Sequence, residues 1–167
     1  MRAIRLNHVA ICAPDLEASV AFYCELFGME RVPAPRFPSQ PVAWLRIGAQ
    51  QLHLFERVGA PTYHHFAIDV DDFEAAYLKV HELEIRDDDT FMGGVFELPG
   101  GEVQMYLRDP AGNLIEVNWP DVSTLDRGVV TDIVRLDHLV PQDATAQSAR
   151  LYPVSHDALK SERLGKG

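Results

Sequence analysis

Cysteine is scarce in this sequence, and no long apolar run is present. Only Cys12 and Cys24 occur among the 167 residues, too few for a disulfide framework and without the spacing of a cysteine zinc site. The apolar stretches fall well short of the ~18 residues that span a membrane, and the first residues lack the apolar core of a secretory signal. These absences predict a cytoplasmic protein with reduced thiols and no membrane contact.

Basic residues are also few. The chain has 15 Lys and Arg against 25 Asp and Glu, which gives a formal net charge of −10. Nucleic-acid binding depends on a basic patch that neutralises phosphates, so this balance argues against a nucleic-acid partner. With 47% hydrophobic residues, the chain is long enough for one well-buried domain. A small molecule is the partner that we expect.

What the sequence does contain is an internal repeat. The segment His8–Asp15 (HVAICAPD) matches His65–Asp72 (HFAIDVDD) in its histidine, alanine, isoleucine and final aspartate. Each copy continues into apolar residues at three- and four-residue spacing, which indicates a helix capped by Asp15 or Asp72. A repeat of this kind predicts the organisation of the whole fold.

The later parts of the two copies match as well. In each copy a strand, a turn and a second strand align; the matched strands are Trp44–Arg46 with Tyr106–Arg108, and Gln51–Phe55 with Leu114–Asn118. The turn of the first copy is shorter, and this places His53 in register with Glu116. Each copy therefore predicts a strand, a helix and up to three further strands.

This order predicts an α+β fold of two tandem βαβββ modules, at about residues 4–57 and 62–120, in one domain of residues 1–120. Residues 121–167 would form a C-terminal extension. Within the extension, Val129–Leu136 is apolar enough to dock as a short helix or arm, on its own domain or on that of a partner. We find no catalytic motif in the extension.

Strand alternation sorts the side chains of each copy, because successive residues point to opposite faces of a sheet. His8 shares its face with Ala10 and Cys12, whereas the residues between them are apolar. The same alternation separates His65 and Glu116 from the apolar residues of their strands. We expect the apolar faces to pack under the helices and the other faces to line a ligand cavity.

His8, His65, Glu116 and His53 form a candidate metal centre. A lone strand histidine is more often a structural residue, but four equivalent positions of a repeat favour a shared role. Imidazole nitrogens and a carboxylate oxygen suit a divalent first-row ion such as Fe²⁺, Zn²⁺, Ni²⁺, Co²⁺ or Mn²⁺. Two histidines and one carboxylate leave positions open for water or substrate. His53 is either a fourth ligand or a hydrogen-bond donor behind the ligands.

Other polar side chains receive weaker assignments. The remaining histidines are interpreted as rim, structural or solvent-facing residues: His64, His81, His138 and His156. Tyr106 precedes Glu116 by one strand and either donates a hydrogen bond into the site or packs in the core. Cys12 either touches a ligand or is a small buried thiol.

Together these residues resemble the vicinal oxygen chelate superfamily, which includes glyoxalase I, the fosfomycin-resistance enzymes and the extradiol dioxygenases. The resemblance covers about residues 4–120 and is carried by four segments: Asn7–Ala10, Phe22–Met29, His65–Ala67 and Tyr106–Glu116. The last segment is the most specific, since its Asp-Pro-x-Gly turn precedes an ionisable ligand. The resemblance implies a curved, incomplete barrel of about eight strands around one metal site, often in a homodimer.

The resemblance also implies roles for individual residues. His8, His65, Glu116 and the His53 position would bind the metal, which in this family chelates two neighbouring substrate oxygens and stabilises an enolate. Catalytic roles would fall to His53, Glu116 and Tyr106. Glyoxalase I usually has a glutamate at the position of His53; a histidine can move a proton near neutral pH, but it departs from the glyoxalase pattern.

The leading hypothesis is therefore a metal-dependent isomerase or lyase acting on a small oxygenated metabolite. An Fe(II) extradiol-type dioxygenase is an alternative. The spacing from Tyr106 to Glu116 fits it, but Glu97–Glu102 lacks the histidine that those enzymes carry, unless His53 substitutes. The fosfomycin branch is disfavoured because Val9–Ala10 contains neither threonine nor cysteine. A non-catalytic protein that binds or sequesters a small molecule is the third hypothesis.

Overall fold

Two βαβββ modules follow one another in the computed structural model, which describes residues 8–34, 41–60, 64–90 and 94–152. The first module comprises β1 (His8–Cys12), α1 (Leu16–Phe27), β2 (Glu30–Val32), β3 (Val42–Ile47) and β4 (Gln50–Phe55). The second comprises β5 (His65–Asp69), α2 (Phe73–Glu82), β6 (Val95–Glu97), β7 (Val103–Arg108) and β8 (Leu114–Trp119). The predicted α+β fold of tandem modules is confirmed.

The extension after β8 is also structured. A 3-10 turn at Val122–Thr124 is followed by β9 (Ile133–Arg135), α3 (Leu136–Leu139) and α4 (Ala144–Ser148). The apolar stretch that was predicted to dock as a helix or arm forms a strand, β9, which pairs in parallel with β6. None of the helices in the described ranges is long and apolar enough to cross a membrane.

Both long helices begin at the predicted aspartates. The Asp15 carboxylate accepts the backbone N–H of Ala18 at 2.9 Å, and Asp72 accepts that of Ala75 at 2.9 Å. Each bond satisfies an N–H group that would otherwise have no partner within the helix. The helix starts could therefore be located from the repeat alone.

Packing divides the chain into two compact units. Unit 1 contains Met1–Phe66 and Arg108–Ile115, and unit 2 contains Ala67–Leu107 and Glu116–Gly167. The four-stranded sheet β1-β4-β3-β2 lies in unit 1. The five-stranded sheet runs β5-β8-β7-β6-β9, and its strands β5 and β8 begin in unit 1 and continue into unit 2. The turn between β7 and β8 thus packs with the first module, and the described part of the extension, up to residue 152, packs with the second.

The sheet of unit 1 has one apolar and one polar face, as the alternation predicts. Leu45, Leu52 and Leu54 are buried on the face that packs on α1, where Val20 and Tyr23 are buried in turn. On the opposite face, Ala10 of β1 pairs with His53 of β4, which pairs with Trp44 of β3. Burial of the leucines supplies the main stabilisation of this unit, and it fixes which side chains point the other way.

The Asp109–Asn113 turn is held by a buried hydrogen-bond network within unit 1. The Asp109 carboxylate accepts the Tyr23 hydroxyl at 2.9 Å and the backbone N–H groups of Ala111 and Asn113 at 2.9 and 2.7 Å. The Asn113 amide donates to Asp109 at 2.8 Å and to the Cys12 carbonyl at 2.6 Å. The most specific segment of the sequence therefore connects α1, β1 and the turn.

In unit 2, the start of the extension is tied down by ion pairs. Asp132, directly before β9, accepts the Tyr77 hydroxyl of α2 at 3.0 Å and pairs with Arg86. Glu97 of β6 pairs with Arg127 at 3.0 Å and with Arg135 of β9 at 3.6 Å. These contacts join the extension to both the helix and the sheet of its unit.

We expect Tyr23→Phe to lower the free energy of unfolding by about 1 kcal/mol, because one buried hydrogen bond is lost. Asp109→Ala should cost about 3 kcal/mol, since it leaves the Tyr23 hydroxyl and the Asn113 amide without their acceptor. Urea unfolding of both variants and of the double variant measures these losses. Strictly additive losses in the double variant would show that Tyr23 and Asp109 do not interact.

Candidate functional site

Three aromatic rings stack on the polar face of the unit 1 sheet. The His8 and His53 rings are 4.0 Å apart between centroids with an interplanar angle of 18°, and the Trp44 and His53 rings are 4.2 Å apart at 4°. The stack follows from strand order, since β1, β4 and β3 are neighbours. His53 is buried at the centre of the stack, whereas His8 is exposed at its end.

Burial of His53 favours its neutral form. The pKa of His53 is lowered from its ordinary value, first by burial and then by the nearby charge of His8. Its Nε2 lies 2.9 Å from the Gln51 side-chain oxygen. That oxygen can only accept a hydrogen bond, so Nε2 carries the hydrogen and Nδ1 carries the lone pair. The imidazole is therefore a potential proton acceptor or metal ligand through Nδ1.

The stacked arrangement limits what His8 and His53 can bind together. An imidazole nitrogen binds a metal through a lone pair in the plane of its ring, at ~2.0–2.1 Å for zinc. Two nearly parallel rings 4.0 Å apart direct their lone pairs into separate layers, so one ion cannot lie in both planes. In this arrangement the pair does not share a metal ion. Joint binding requires one ring to turn out of the stack.

His65 lies at a cavity of unit 1 with a volume of about 460 Å³. His64, Arg57 and Cys12 line the same cavity, and the backbone of β1 forms one wall. His64 was expected at a rim, and both neighbouring histidines are exposed at this cavity. No sequence motif marks Arg57, which sequence reasoning missed. The described lining residues include no aspartate or glutamate, so the cavity suits an anionic ligand.

Glu116 is buried in unit 2 between two hydrogen-bond donors. The Tyr106 hydroxyl donates to Oε2 at 2.7 Å, and the Gln104 amide donates to Oε1 at 2.5 Å. The pKa of the Tyr106 phenol is raised by burial, and also by its hydrogen bond to Glu116 and the charge of that carboxylate. The phenol therefore stays protonated and keeps donating. Gln104 was missed by the sequence reasoning, although alternation along β7 from Tyr106 would have found it.

The predicted site residues thus lie in three places: His8 with His53 in unit 1, His65 at the cavity of the same unit, and Tyr106 with Glu116 in unit 2. Among the described residues, no group of three or more His, Cys, Asp or Glu side chains is placed to hold a metal ion. The metal-ligand set stays a prediction. His81 and His138 are exposed on α2 and α3, and His156 lies outside the described residues.

Two tandem βαβββ modules with two open, mixed sheets define a class of paired-module α+β proteins. Comparison of the sequence with family models identifies the family within that class. The family model of the Glyoxalase/Bleomycin resistance protein/Dioxygenase superfamily matches residues 5–117. The chain belongs to this superfamily, as the resemblance in its sequence implied.

Two enzymes are among the proteins that are similar to this chain. Human mitochondrial methylmalonyl-CoA epimerase is 34% identical in an alignment of 98 positions that covers 49% of this chain and 55% of that protein. The chain thus spans about half the length of this relative. The crystal structure of lactoylglutathione lyase from Agrobacterium tumefaciens is 30% identical, with a TM-score of 0.55 over 70% of this chain and 94% of that one.

A more distant structure shares the fold alone. A mutant of the fosfomycin resistance protein FosX from Listeria monocytogenes, in complex with Mn(II) and a dihydroxypropylphosphonic acid, has a TM-score of 0.57 and 17% identity. The match covers 70% of this chain and 92% of that one. The relatives therefore include an epimerase, a lyase and a resistance protein, and the fold by itself does not choose among their reactions.

We expect the His53 ring to titrate below the ordinary histidine value of about 6.5 in an NMR pH titration of chelator-treated protein. Because its folded pKa is lowered, its contribution to stability is lost as pH falls from the unfolded value toward the folded one. His8→Ala should raise the midpoint only in part, since burial is the larger cause. His138→Ala should not move it. A midpoint at or above 6.5 in the unsubstituted protein would contradict the burial of His53.

Proposed function

We propose that the protein is a divalent-metal-dependent enzyme that removes and returns a proton next to a carbonyl group of a small substrate with neighbouring oxygens. The observation that carries the proposal is the buried Glu116 carboxylate held by Tyr106 and Gln104. One similar protein supports it. Epimerisation of methylmalonyl-CoA inverts a carbon between two carbonyl groups, which requires loss and return of its proton.

Glu116 and its donors form the reactive part of the proposal. Tyr106 and Gln104 each bind one oxygen of the carboxylate, so its orientation is set before a substrate arrives. Preorganised groups of this kind avoid reorganisation during the reaction. Tyr106 positions Glu116 through its hydroxyl. The protonated phenol also gives the carboxylate a hydrogen-bond donor when no substrate is bound.

The proposal gives the metal-ligand role to His8, His65 and Glu116, which occupy equivalent positions of the repeat. A divalent ion held there (Fe²⁺, Zn²⁺, Ni²⁺, Co²⁺ or Mn²⁺) would supply Lewis-acid stabilisation of negative charge on a substrate oxygen. Two imidazoles and one carboxylate are a donor set that suits these ions. His53 would be a fourth ligand with its ring turned out of the stack, or its neutral imidazole would accept the proton at Nδ1 and become positively charged.

The substrate class follows from the cavity of unit 1. Arg57 is the only lysine or arginine among the described lining residues, and no carboxylate opposes it there. The rest of a chain of net charge −10 repels anions, so we expect an anionic group to bind at this cavity rather than elsewhere on the surface. We propose that Arg57 binds a carboxylate of the substrate. Guanidinium groups suit this task through paired hydrogen bonds.

A non-catalytic binding protein is the second candidate. The stack of His8, His53 and Trp44 favours it, since a row of planar rings can receive an aromatic ligand without any metal. Tight binding of an aromatic compound by protein treated with chelator, together with no turnover, would support this candidate. Oxygen uptake on catechols by the Fe²⁺-loaded protein would instead support the dioxygenase. A homodimer in the cytoplasm belongs to the proposal, and sedimentation and cell fractionation test it.

The purified protein should contain close to one divalent ion per chain, and His8→Ala should reduce the content below ~0.2 equivalents, because ligand loss weakens the site strongly. Elemental analysis after aerobic and anaerobic purification measures both. The control is His138→Ala, whose exposed imidazole lies outside the proposed site and should leave the content unchanged. Less than ~0.2 equivalents in the unsubstituted protein, with His8→Ala binding no less, would refute the metal proposal.

Proton exchange tests the reaction itself. In D₂O, the enzyme should introduce deuterium next to the carbonyl of methylmalonyl-CoA or of a thiol conjugate of an α-keto aldehyde. Glu116→Gln should slow this exchange about 100-fold or more, because it removes the proposed base. Tyr106→Phe should slow it about tenfold, because it removes only a hydrogen bond that positions that base. Tyr77→Phe, which removes a phenol–carboxylate bond elsewhere in unit 2, serves as control. Exchange that is unaffected by Glu116→Gln would remove Glu116 from the mechanism.

A further inference from the structure

The last part of the described chain contacts the sheet of unit 2. We call residues 144–152 the C-terminal arm. Its Tyr152 hydroxyl donates to the Asp69 carboxylate of β5 at 2.7 Å, and its Leu151 backbone N–H donates to Oε1 of Glu102 at 3.1 Å. These are long-range contacts with two different segments of the sheet, so the arm is docked on the unit rather than extended into solvent.

The arm docks on the face that carries Glu116. Glu102 precedes β7 and alternates in phase with Gln104 and Tyr106, the two donors to Glu116. The backbone pairing of β6 with β7 continues beyond the strands to Glu102, whose carbonyl accepts the Leu98 N–H at 2.8 Å. Burial and the bond to Asp69 raise the pKa of Tyr152, and the charges of Glu102 and Glu116 add to the effect. Tyr152 therefore lies on the same face as Glu116, within range of its charge.

The origin of the arm is fixed at the far end of the sheet. Strand β9 pairs with β6, and the ion pair of Asp132 with Arg86 holds the residue directly before it. A tethered segment returns to its contact surface with a high effective concentration. The arm is thus confined near the Glu116 face even when its two hydrogen bonds open.

Two buried acceptors on this face lack hydrogen-bond donors. Oε2 of Glu102 and Oδ1 of Asn118 are buried and have no hydrogen-bond partner among the described residues. Asn118 alternates in phase with Glu116 on β8, so it belongs to the same face. A buried acceptor without a hydrogen bond carries a free-energy penalty. A ligand that donates hydrogen bonds to these oxygens would remove that penalty.

We propose that the C-terminal arm completes the Glu116 site. Tyr152 is a specificity-determining residue that covers the bound substrate. Glu102 and Asn118 accept hydrogen bonds from N–H or O–H groups of that substrate. The inference rests on the proposed function and adds a substrate feature to it: hydrogen-bond donors, such as amide or hydroxyl groups, beside the oxygens that react. A compound lacking such donors would bind with the arm only partly closed.

The first test measures docking without any assumption about activity. Amide hydrogen exchange of the full chain is followed in Tyr152→Phe and in the matched control Tyr77→Phe, which loses a phenol–aspartate bond of similar length outside the site. We expect faster exchange at the Leu151 amide in Tyr152→Phe and an unchanged rate there in Tyr77→Phe. Equal rates in Tyr152→Phe and the unsubstituted protein would overturn the inference.

The second test measures the contribution to substrate binding with methylmalonyl-CoA as probe. Tyr152→Phe should raise KM about fivefold, the effect of one net hydrogen bond, and change kcat less than about twofold because Tyr152 covers the substrate without reacting. Tyr77→Phe should change neither. The probe should also slow exchange at Leu151, since ligand and arm stabilise each other reciprocally.

The outcomes separate the two proposals. An inactive unsubstituted protein that also binds no probe would overturn the proposed function and the inference together. An active protein in which Tyr152→Phe leaves KM unchanged would overturn the inference alone, as would a probe that does not protect Leu151. Glu102→Gln provides an independent variant: because it weakens an acceptor on the same face, it should raise KM while leaving the Tyr77–Asp132 contact intact. An unchanged KM in Glu102→Gln would overturn the role of Glu102.

Discussion

The register between β1, β4 and β3 is the constraint on which unit 1 depends. Ala10 pairs with His53, and His53 pairs with Trp44, so one choice of register decides both faces of the sheet. A slip by one residue would turn every side chain of the slipped strand to the opposite face. The leucines under α1 and the aromatic stack are therefore two results of a single pairing. Apolar burial stabilises the arrangement, and the stack is formed as its consequence.

Phenol–carboxylate pairs are the second recurring device. Every tyrosine in the described ranges donates its hydroxyl to an acidic side chain: Tyr23 to Asp109, Tyr77 to Asp132, Tyr106 to Glu116 and Tyr152 to Asp69. The chain has more carboxylates than cations, and a buried carboxylate without a donor is costly. A tyrosine supplies a donor and apolar area from one side chain. The same solution thus holds a turn, the extension, the candidate site and the arm.

The sequence predicted most of the fold because the repeat contains independent local signals that agree. Asp15 and Asp72 cap helices, and the strands alternate as their residue types indicate. The pairing of Tyr106 with Glu116 was within reach for the same reason, since both lie on one face of a short hairpin. Such features depend on neighbours that are close in the chain.

The features that the sequence could not predict depend on distant partners. Strand β9 has only three residues and needs the edge of β6 to form, so its apolar residues alone did not separate a strand from a helix. Trp44 joins the histidines through the pairing of β3 with β4, and although the repeat aligns Trp44 with Tyr106, the stacking of its ring on His53 depends on that pairing. Tyr152 meets Asp69 across 83 residues. Neither propensity nor periodicity carries information over such a distance.

The attachment of the extension affects where the fold can be cut. The family match ends at residue 117, but both arginines that pair with buried Glu97 come later in the chain. A shortened gene product that ended with the family match would bury a carboxylate with neither of these cations. It would also open the hydrogen-bonding edge of β6 to other molecules, and open edges of this kind promote aggregation. The segment that matches the family and the segment that the sheet of unit 2 needs therefore end at different residues.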